Sequence, residues 1–205
     1  MARSICYEIG RSGGYAGAGP LVKSTEISTM TIDCTTFTIR SWQESDALNL
    51  ADYANDKEIW LNLRDRFPYP YTATDAADWV TFAIGVQPET NFAIAINGKA
   101  VGGIGLILGE DIQRCSAEVG YWLGRAYWGK GIISEALIAF TAYAFRRFEL
   151  TRLYAVPYLR NPASMRVLEK AGYQYEGTMR QSAIKDKEVL DPALYAFVPA
   201  LGSFH

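Results

Sequence analysis

A short apolar run that turns through glycines into a long helical pattern constrains this chain more than any other feature. Val119 to Leu123 reads as a buried strand, and Trp128-Gly129-Lys130-Gly131 supplies the turn. Beyond it, Ile132, Ile133, Ala136, Leu137, Phe140, Ala144, Phe145 and Phe148 recur at helical spacing, which predicts one broad buried face. A glycine turn feeding a helix start is an anion site on physical grounds. Glycine lets the backbone come close to a guest, the first-turn N–H groups lack intrahelical partners, and the helix dipole favours negative charge. The expected guest is a phosphate or pyrophosphate; the alternative is a strand–helix junction that binds nothing, because glycines also serve as plain caps. Two phosphate motifs are excluded. Gly-x-x-x-x-Gly-Lys-Ser/Thr is absent. Gly103-Ile-Gly105 meets Leu108 where a dinucleotide fingerprint needs its third glycine, and strand rather than helix follows.

Scarcity of histidine narrows the chemistry. The single histidine among 205 residues is His205, the last one. A Ser-His-Asp triad, a Cys-His pair or a histidine metal site is therefore excluded, which leaves carboxylates, hydroxyls and backbone groups. Cys6, Cys34 and Cys115 are odd in number and show no Cys-x-x-Cys spacing. Neither a disulfide framework nor a metal site is expected, and a reducing, cytoplasmic setting is the simpler reading. A net charge of −2 offers no electrostatic case for nucleic acid or an anionic membrane surface. No apolar run approaches the roughly 20 residues that span a bilayer.

Taken in order, residues 1–30 read as a flexible N-terminal extension, rich in glycine from Gly10 to Pro20 and without the apolar centre of a secretory signal. A single domain is expected over 31–200, with 201–205 as a tail. Phe37-Thr-Ile39 alternates as a strand, and Glu44-Ser-Asp46 starts a helix through Leu48 to Ala54. Trp60 to Tyr71 reads as a loop dense in aromatics, either surface packing or the lining of a substrate mouth. Thr74 or Asp75 caps a second helix that reaches about Ile84. Phe92–Ile96 and Ala100–Leu108 form a hairpin around Asn97-Gly98, the favoured type I′ pair, and Cys115–Leu123 completes a meander. Arg152 to Val156 is a strand able to return parallel to Val119–Leu123. Asn161-Pro-Ala-Ser164 opens a helix through Lys170, which Gly172 stops. Tyr173–Met179 and Leu190–Val198 are the last strands. The order is β-α-α-β-β-β-α-β-α-β-β, an α+β class.

Several ordered motifs then carry a resemblance. They are Phe67-Pro-Tyr-Pro-Tyr71, Ala117-Glu-Val-Gly-Tyr-Trp122, Tyr127-Trp-Gly-Lys-Gly131 with Ser134-Glu-Ala136, Asn161-Pro-Ala-Ser164, Val167-Leu-Glu-Lys-Ala-Gly-Tyr173, Glu176-Gly177, and Asp191 with Tyr195. From about Phe37 to Val198 the chain resembles the GNAT acyl-CoA N-acyltransferases, and within them the RimJ/RimL-type branch that acetylates ribosomal-protein N-termini. The resemblance implies a three-layer fold whose mixed, mostly antiparallel sheet has a splayed parallel pair at its centre. It implies acetyl-CoA as co-substrate. The arm would pair with the backbone of Val119, Tyr121, Trp122 and Leu123, and the pyrophosphate would sit on Tyr127, Trp128, Gly129, Lys130, Gly131 and Ile132. Asn161 and Ser164 would also hold the cofactor.

It implies, too, direct attack of an amine on the thioester. Glu118 is the candidate general base, working through water; the alternative is a carboxylate paired with an arginine such as Arg114. Ser164 is the candidate proton donor to the departing thiolate, unless it only helps start its helix, and Tyr195 is a second donor candidate unless it is core. Arg64, Phe67, Tyr69, Tyr71 and Asp191 are the substrate-binding candidates, with Arg64 and Arg66 hinting at an acceptor that carries carboxylates. The acceptor is expected to be a primary amine: a protein or peptide α-amino group, or alternatively a small amine. Monomer and homodimer both stay open. The competing class is a non-catalytic acyl-CoA-binding module, which has no need of a carboxylate at 118.

Overall fold

The computed structural model describes residues 30–200, so the readings for 1–29 and 201–205, and His205 with them, fall outside the described residues. Eight strands form one sheet. In chain order they are β1 (Thr31–Asp33), β2 (Thr38–Ser41), β3 (Asn91–Ile96), β4 (Lys99–Leu108), β5 (Ser116–Leu123), β6 (Arg152–Ala155), β7 (Gln174–Thr178) and, after a separate hairpin, β10 (Ala193–Phe197). Their spatial order is β1-β2-β3-β4-β5-β6-β10-β7. Every neighbouring pair is antiparallel except β5–β6, which is parallel. The β3–β4 hairpin turns at Asn97 (φ 50°) and Gly98 (φ 79°), both left-handed as a type I′ turn requires.

Helices cover both faces. α1 (Ala47–Ala54), α2 (Lys57–Leu61) and α3 (Ala73–Gly85) precede β3; α4 (Ile132–Arg147) links β5 to β6, and α5 (Pro162–Lys170) links β6 to β7. Period-2 alternation along the strands feeds two separate cores. Phe92, Ile94, Val119 and Leu153 pack with Ala136, Leu137 and Phe140 of α4 and Leu168 of α5. On the other face Ala93 and Ala100 meet Leu50 and Ala54 of α1 and Val80 and Ala83 of α3. This is the three-layer α+β arrangement expected. α5 ends as Gly172 demands: at φ 86° its N–H donates to Glu169 O and that of Tyr173 to Leu168 O, both at 3.0 Å.

The element count is larger than the sequence reading. β1 is an additional strand. α2 is an additional helix that takes in Trp60 and Leu61 of the segment read as loop, because Asp56 accepts from the N–H groups of Glu58 (2.7 Å) and Ile59 (3.3 Å) and so caps a helix too short to show a period. α3 starts earlier than Thr74: Thr72 is its cap, in a reciprocal capping box with Asp75. The last strand is split. β8 (Ala183–Lys185) and β9 (Glu188–Leu190) form their own hairpin through Asp186 and Lys187, both at positive φ, before Pro192 interrupts and β10 begins. An Asp-Lys turn lacks the glycine that usually announces a hairpin, and proline cannot donate within a strand.

Candidate active site

The site is built by one strand that outruns its partner. β5 and β6 pair in parallel only at Ser116↔Arg152, Ala117↔Leu153 and Glu118↔Tyr154. β5 continues against β4 as far as Leu123, whereas β6 stops at Ala155. The edge of β5 from Val119 to Leu123 therefore faces no strand on the β6 side. A cleft of about 890 Å³ opens there, lined by Glu118 to Trp122 from β5, Ala155 to Tyr158, the 62–68 loop, and Asp75, Asp78 and Trp79 from α3.

Alternation along β5 sends its side chains to opposite faces of this opening. Val119 and Leu123 are buried in the α4–α5 core, with Tyr121 packed against it. Glu118, Gly120 and Trp122 take the other face, where Trp122 meets Phe67 edge-on at 5.6 Å. The two halves of the chemistry are thus separated by one strand's pleat.

At the far end of β5 lies the glycine turn. Gly129 (φ 74°) and Gly131 (φ 80°) are both left-handed, and a Cβ at either would touch nothing within 4 Å, so conformation rather than space requires glycine. Gly131 is the N-cap of α4 and offers no capping side chain, which leaves the first-turn N–H groups open to a guest. Trp128 Nε1 donates to Leu123 O at 2.7 Å and fastens the turn to the end of the strand. Lys130 Nζ lies 5.4 Å from the Tyr127 ring. Ile132 is buried in the core.

Glu118 stands where the strands part. Both of its oxygens accept from Arg64 Nη2 at 2.5 Å, so its arginine is Arg64 of the mouth loop and not Arg114, which donates to Asp111 O. The Glu118 side chain is 17% exposed and that of Arg64 53%. Tyr154, opposite Glu118 in register, is held above the ordinary tyrosine value first by burial and then by the Glu118 charge. Arg64 is therefore neutralised. With Asp65, Asp75, Asp78 and Glu118 against Arg64 and Arg66, carboxylates outnumber guanidiniums along the cleft.

On the opposite face Asn161 caps α5, its Oδ1 accepting from Ser164 N–H at 3.1 Å. Ser164 Oγ shares a hydrogen bond of 2.8 Å with Tyr121 Oη. Burial, slightly offset by that bond, pushes Tyr121 up to about 12, so its phenol keeps its proton throughout the neutral range. The hydroxyl pair was not foreseen: strand period and helix-cap spacing are local signals, and neither reports that position 121 meets position 164.

Among the catalytic and acceptor candidates, three fall outside the cleft lining, as does the cofactor candidate Asn161. Tyr195 is buried and donates to Glu169 Oε1 at 3.0 Å, against α5. Asp191 accepts from Gln181 N–H at 2.6 Å and anchors a loop. Tyr69 lies against Trp60, ring centroids 5.6 Å apart, on the outer side of the mouth. Phe67 and Tyr71 do line it, 4.8 Å apart. Two lining residues carry no sequence signal. Trp42 Nε1 and Asn62 Oδ1 are buried with no partner among the described residues, and buried polar atoms are rarely left so.

A strand edge left open beside an uncapped helix start, with a carboxylate at one mouth and a hydroxyl pair at the other, defines an acyltransferase. The family model for the acetyltransferase (GNAT) domain matches residues 36–174, and the chain belongs to that family of N-acetyltransferases. Among its relatives is an uncharacterized N-acetyltransferase, p20, of Bacillus licheniformis, 27% identical over 78% of this chain and 92% of that protein. The ribosomal-protein-serine acetyltransferase of Escherichia coli is 36% identical over 40% of this chain and 45% of its own length. Among solved structures, RimL, a ribosomal-protein alpha-N-acetyltransferase in complex with coenzyme A, superposes with a TM-score of 0.73 at 24% identity, covering 82% of this chain and 98% of that one.

Proposed function

We propose that this enzyme uses acetyl-CoA and acetylates the α-amino group of a protein or peptide N-terminus. The observation that carries the reading is the β5 edge from Val119 to Leu123, left open between Glu118 and the Gly131 helix start. The residues fit the co-substrate. Amides of Tyr127 to Ile132 would hold its pyrophosphate, the β5 edge would pair with its amide-bearing arm, and Asn161 and Ser164 would flank that arm. Acetyl-CoA supplies a thioester, an acetyl group activated toward a neutral amine.

The chain's own residues do the rest. An incoming ammonium competes with Arg64 for the Glu118 carboxylate. Arg64 is half in solvent and swings away, and Glu118 takes the proton, directly or through a water, so that the amine gains its lone pair. Backbone N–H groups of the β5 edge face the reacting carbonyl. Ser164 Oγ, backed by Tyr121 Oη, holds the proton for the departing sulfur. The ribosomal-protein acetyltransferases among the relatives and the solved structures support a protein N-terminus. The acidic face of α3, Asp75 with Asp78, favours a small polycationic amine as the second reading. We place the enzyme in the cytoplasm, as a monomer or homodimer.

Calorimetric titration tests the co-substrate. Acetyl-CoA should bind the wild type with micromolar affinity and fail to bind Gly129→Asp/Gly131→Asp, whose carboxylates oppose the pyrophosphate. A folded wild type that releases no heat would end this reading. With binding in hand, a serine-initiated peptide and spermidine are compared as acceptors, and Glu118→Gln should lower kcat about 100-fold with either.

A further inference from the structure

Lys185 is the one lysine in the buried core of the described residues, its side chain 1% exposed, and nothing in the acetyl transfer uses it. It belongs to the β8–β9 hairpin, 120 residues from the partner it reaches. Its Nζ donates to Asp65 Oδ1 at 2.9 Å and sits 4.0 Å from the centroid of the Trp60 ring. Asp65 follows Arg64 directly, and Trp60 closes α2 just ahead of the loop. Arg160 adds a second tie: it donates to Leu61 O and to Glu188 Oε2 of the same hairpin. The hairpin thus grips the chain at 60, 61 and 65, on both sides of Asn62 and Arg64, while Ala183 itself lines the cleft.

A buried ammonium is costly to keep unless its partners are strong and well placed. Here the partners are a loop carboxylate whose side chain remains 77% exposed and the face of an indole. For anchoring alone, an apolar side chain of that length would pack as well, because Asp65 stays solvated when Lys185 is removed. The charge therefore marks a constraint on position. We propose that Lys185 is a positioning residue for the acceptor site: through Asp65 and Trp60 it holds residues 62–65, which line the cleft, in the arrangement that receives the acceptor. The effect on transfer runs through Asp65 and the loop, not through contact with substrate. This inference rests on the acceptor reading above.

Lys185→Met tests it in the full-length protein, with two readouts. Amide hydrogen exchange needs no acceptor: the amides of residues 62–66 should exchange about tenfold faster while those of β4 and β5 are unchanged, since only the loop is released. Kinetics with the serine-initiated peptide and with spermidine should show acceptor KM raised about tenfold and calorimetric acetyl-CoA affinity unaltered. Thermal midpoint should stay near wild type for Lys185→Met, fall for Asp65→Asn, which strands a buried ammonium, and recover in the double variant. Unchanged exchange at 62–66 overturns the clamp, whatever the kinetics. Faster exchange with unaltered acceptor KM overturns its role in positioning. A wild type that binds acetyl-CoA and acetylates neither probe would count against the acceptor reading, while the exchange result decides the clamp by itself.

Discussion

Gly120 occupies the middle of the β5 edge, between Glu118 and Trp122 on the same face, and a Cβ there would meet no atom within 4 Å. It has neither a left-handed φ nor a close neighbour to explain its glycine, so the space it leaves belongs to the cleft. Gly120→Ala should therefore leave the fold intact and stabilise the strand by roughly 0.5–1 kcal/mol, seen as a thermal midpoint about 1–4 °C higher. The same methyl should lower turnover about tenfold by intruding where acceptor and acetyl group meet. A variant that is both more stable and fully active would show that the position is structural. Gly129 and Gly131 contrast with it, because their left-handed φ makes any side chain strained before a ligand arrives.

At the scale of elements, Asn161 caps α5, and in the proposed function it also holds the acetyl-CoA arm. The capping atom is Oδ1, which accepts from Ser164 N–H. Asn161→Asp keeps the capping oxygen and adds charge at a helix N-terminus, so stability should hold; Asn161→Ala should lose about 1 kcal/mol. Acetyl-CoA affinity should fall in both, because both lack the amide NH₂. Thermal melts and calorimetry on the pair separate the two duties, and normal affinity in Asn161→Asp would reduce Asn161 to a cap. This start was legible in the sequence as Asn-Pro-x-Ser, since proline at the first turn and an asparagine cap are local chemistry. The β8–β9 hairpin was not legible. Its Asp186-Lys187 turn is polar without glycine, and Ile184 and Val189 are exposed rather than alternating against a core.

For the molecule as a whole, buried phenols govern the alkaline limit. Tyr71, Tyr121 and Tyr173 are all raised above the ordinary value of 10.0, in each case first by burial, and Tyr121 stands at about 12. The folded state holds these protons more tightly than the unfolded chain, which releases them first. Above pH 10 the unfolded state binds fewer protons, so stability must fall as pH rises; below that value it is insensitive to these groups. Urea midpoints should be level from about pH 8 to 9.5 and then decline, and Tyr121→Phe should remove part of the decline. A level profile to pH 11 would mean that the phenols gain solvent in the folded protein.

Local chemistry alone determined the strand–glycine turn–helix unit, the Asn97-Gly98 hairpin, the α5 cap and stop, and the α+β class; Glu118 as the carboxylate beside the opening came from the family resemblance. Each of the local features depends on a side-chain period or on a φ that few residues adopt, and both are written along the chain. Tertiary structure decided which groups meet. It gave Glu118 the Arg64 of a loop 54 residues away, paired Tyr121 with Ser164, turned Tyr195 into the core and Asp191 onto a loop, and seated Lys185 against Asp65. Such pairings come from where β5 and β6 part and how the loops pack over the gap. That depends on contacts between segments far apart in the chain, and no stretch of sequence carries them by itself.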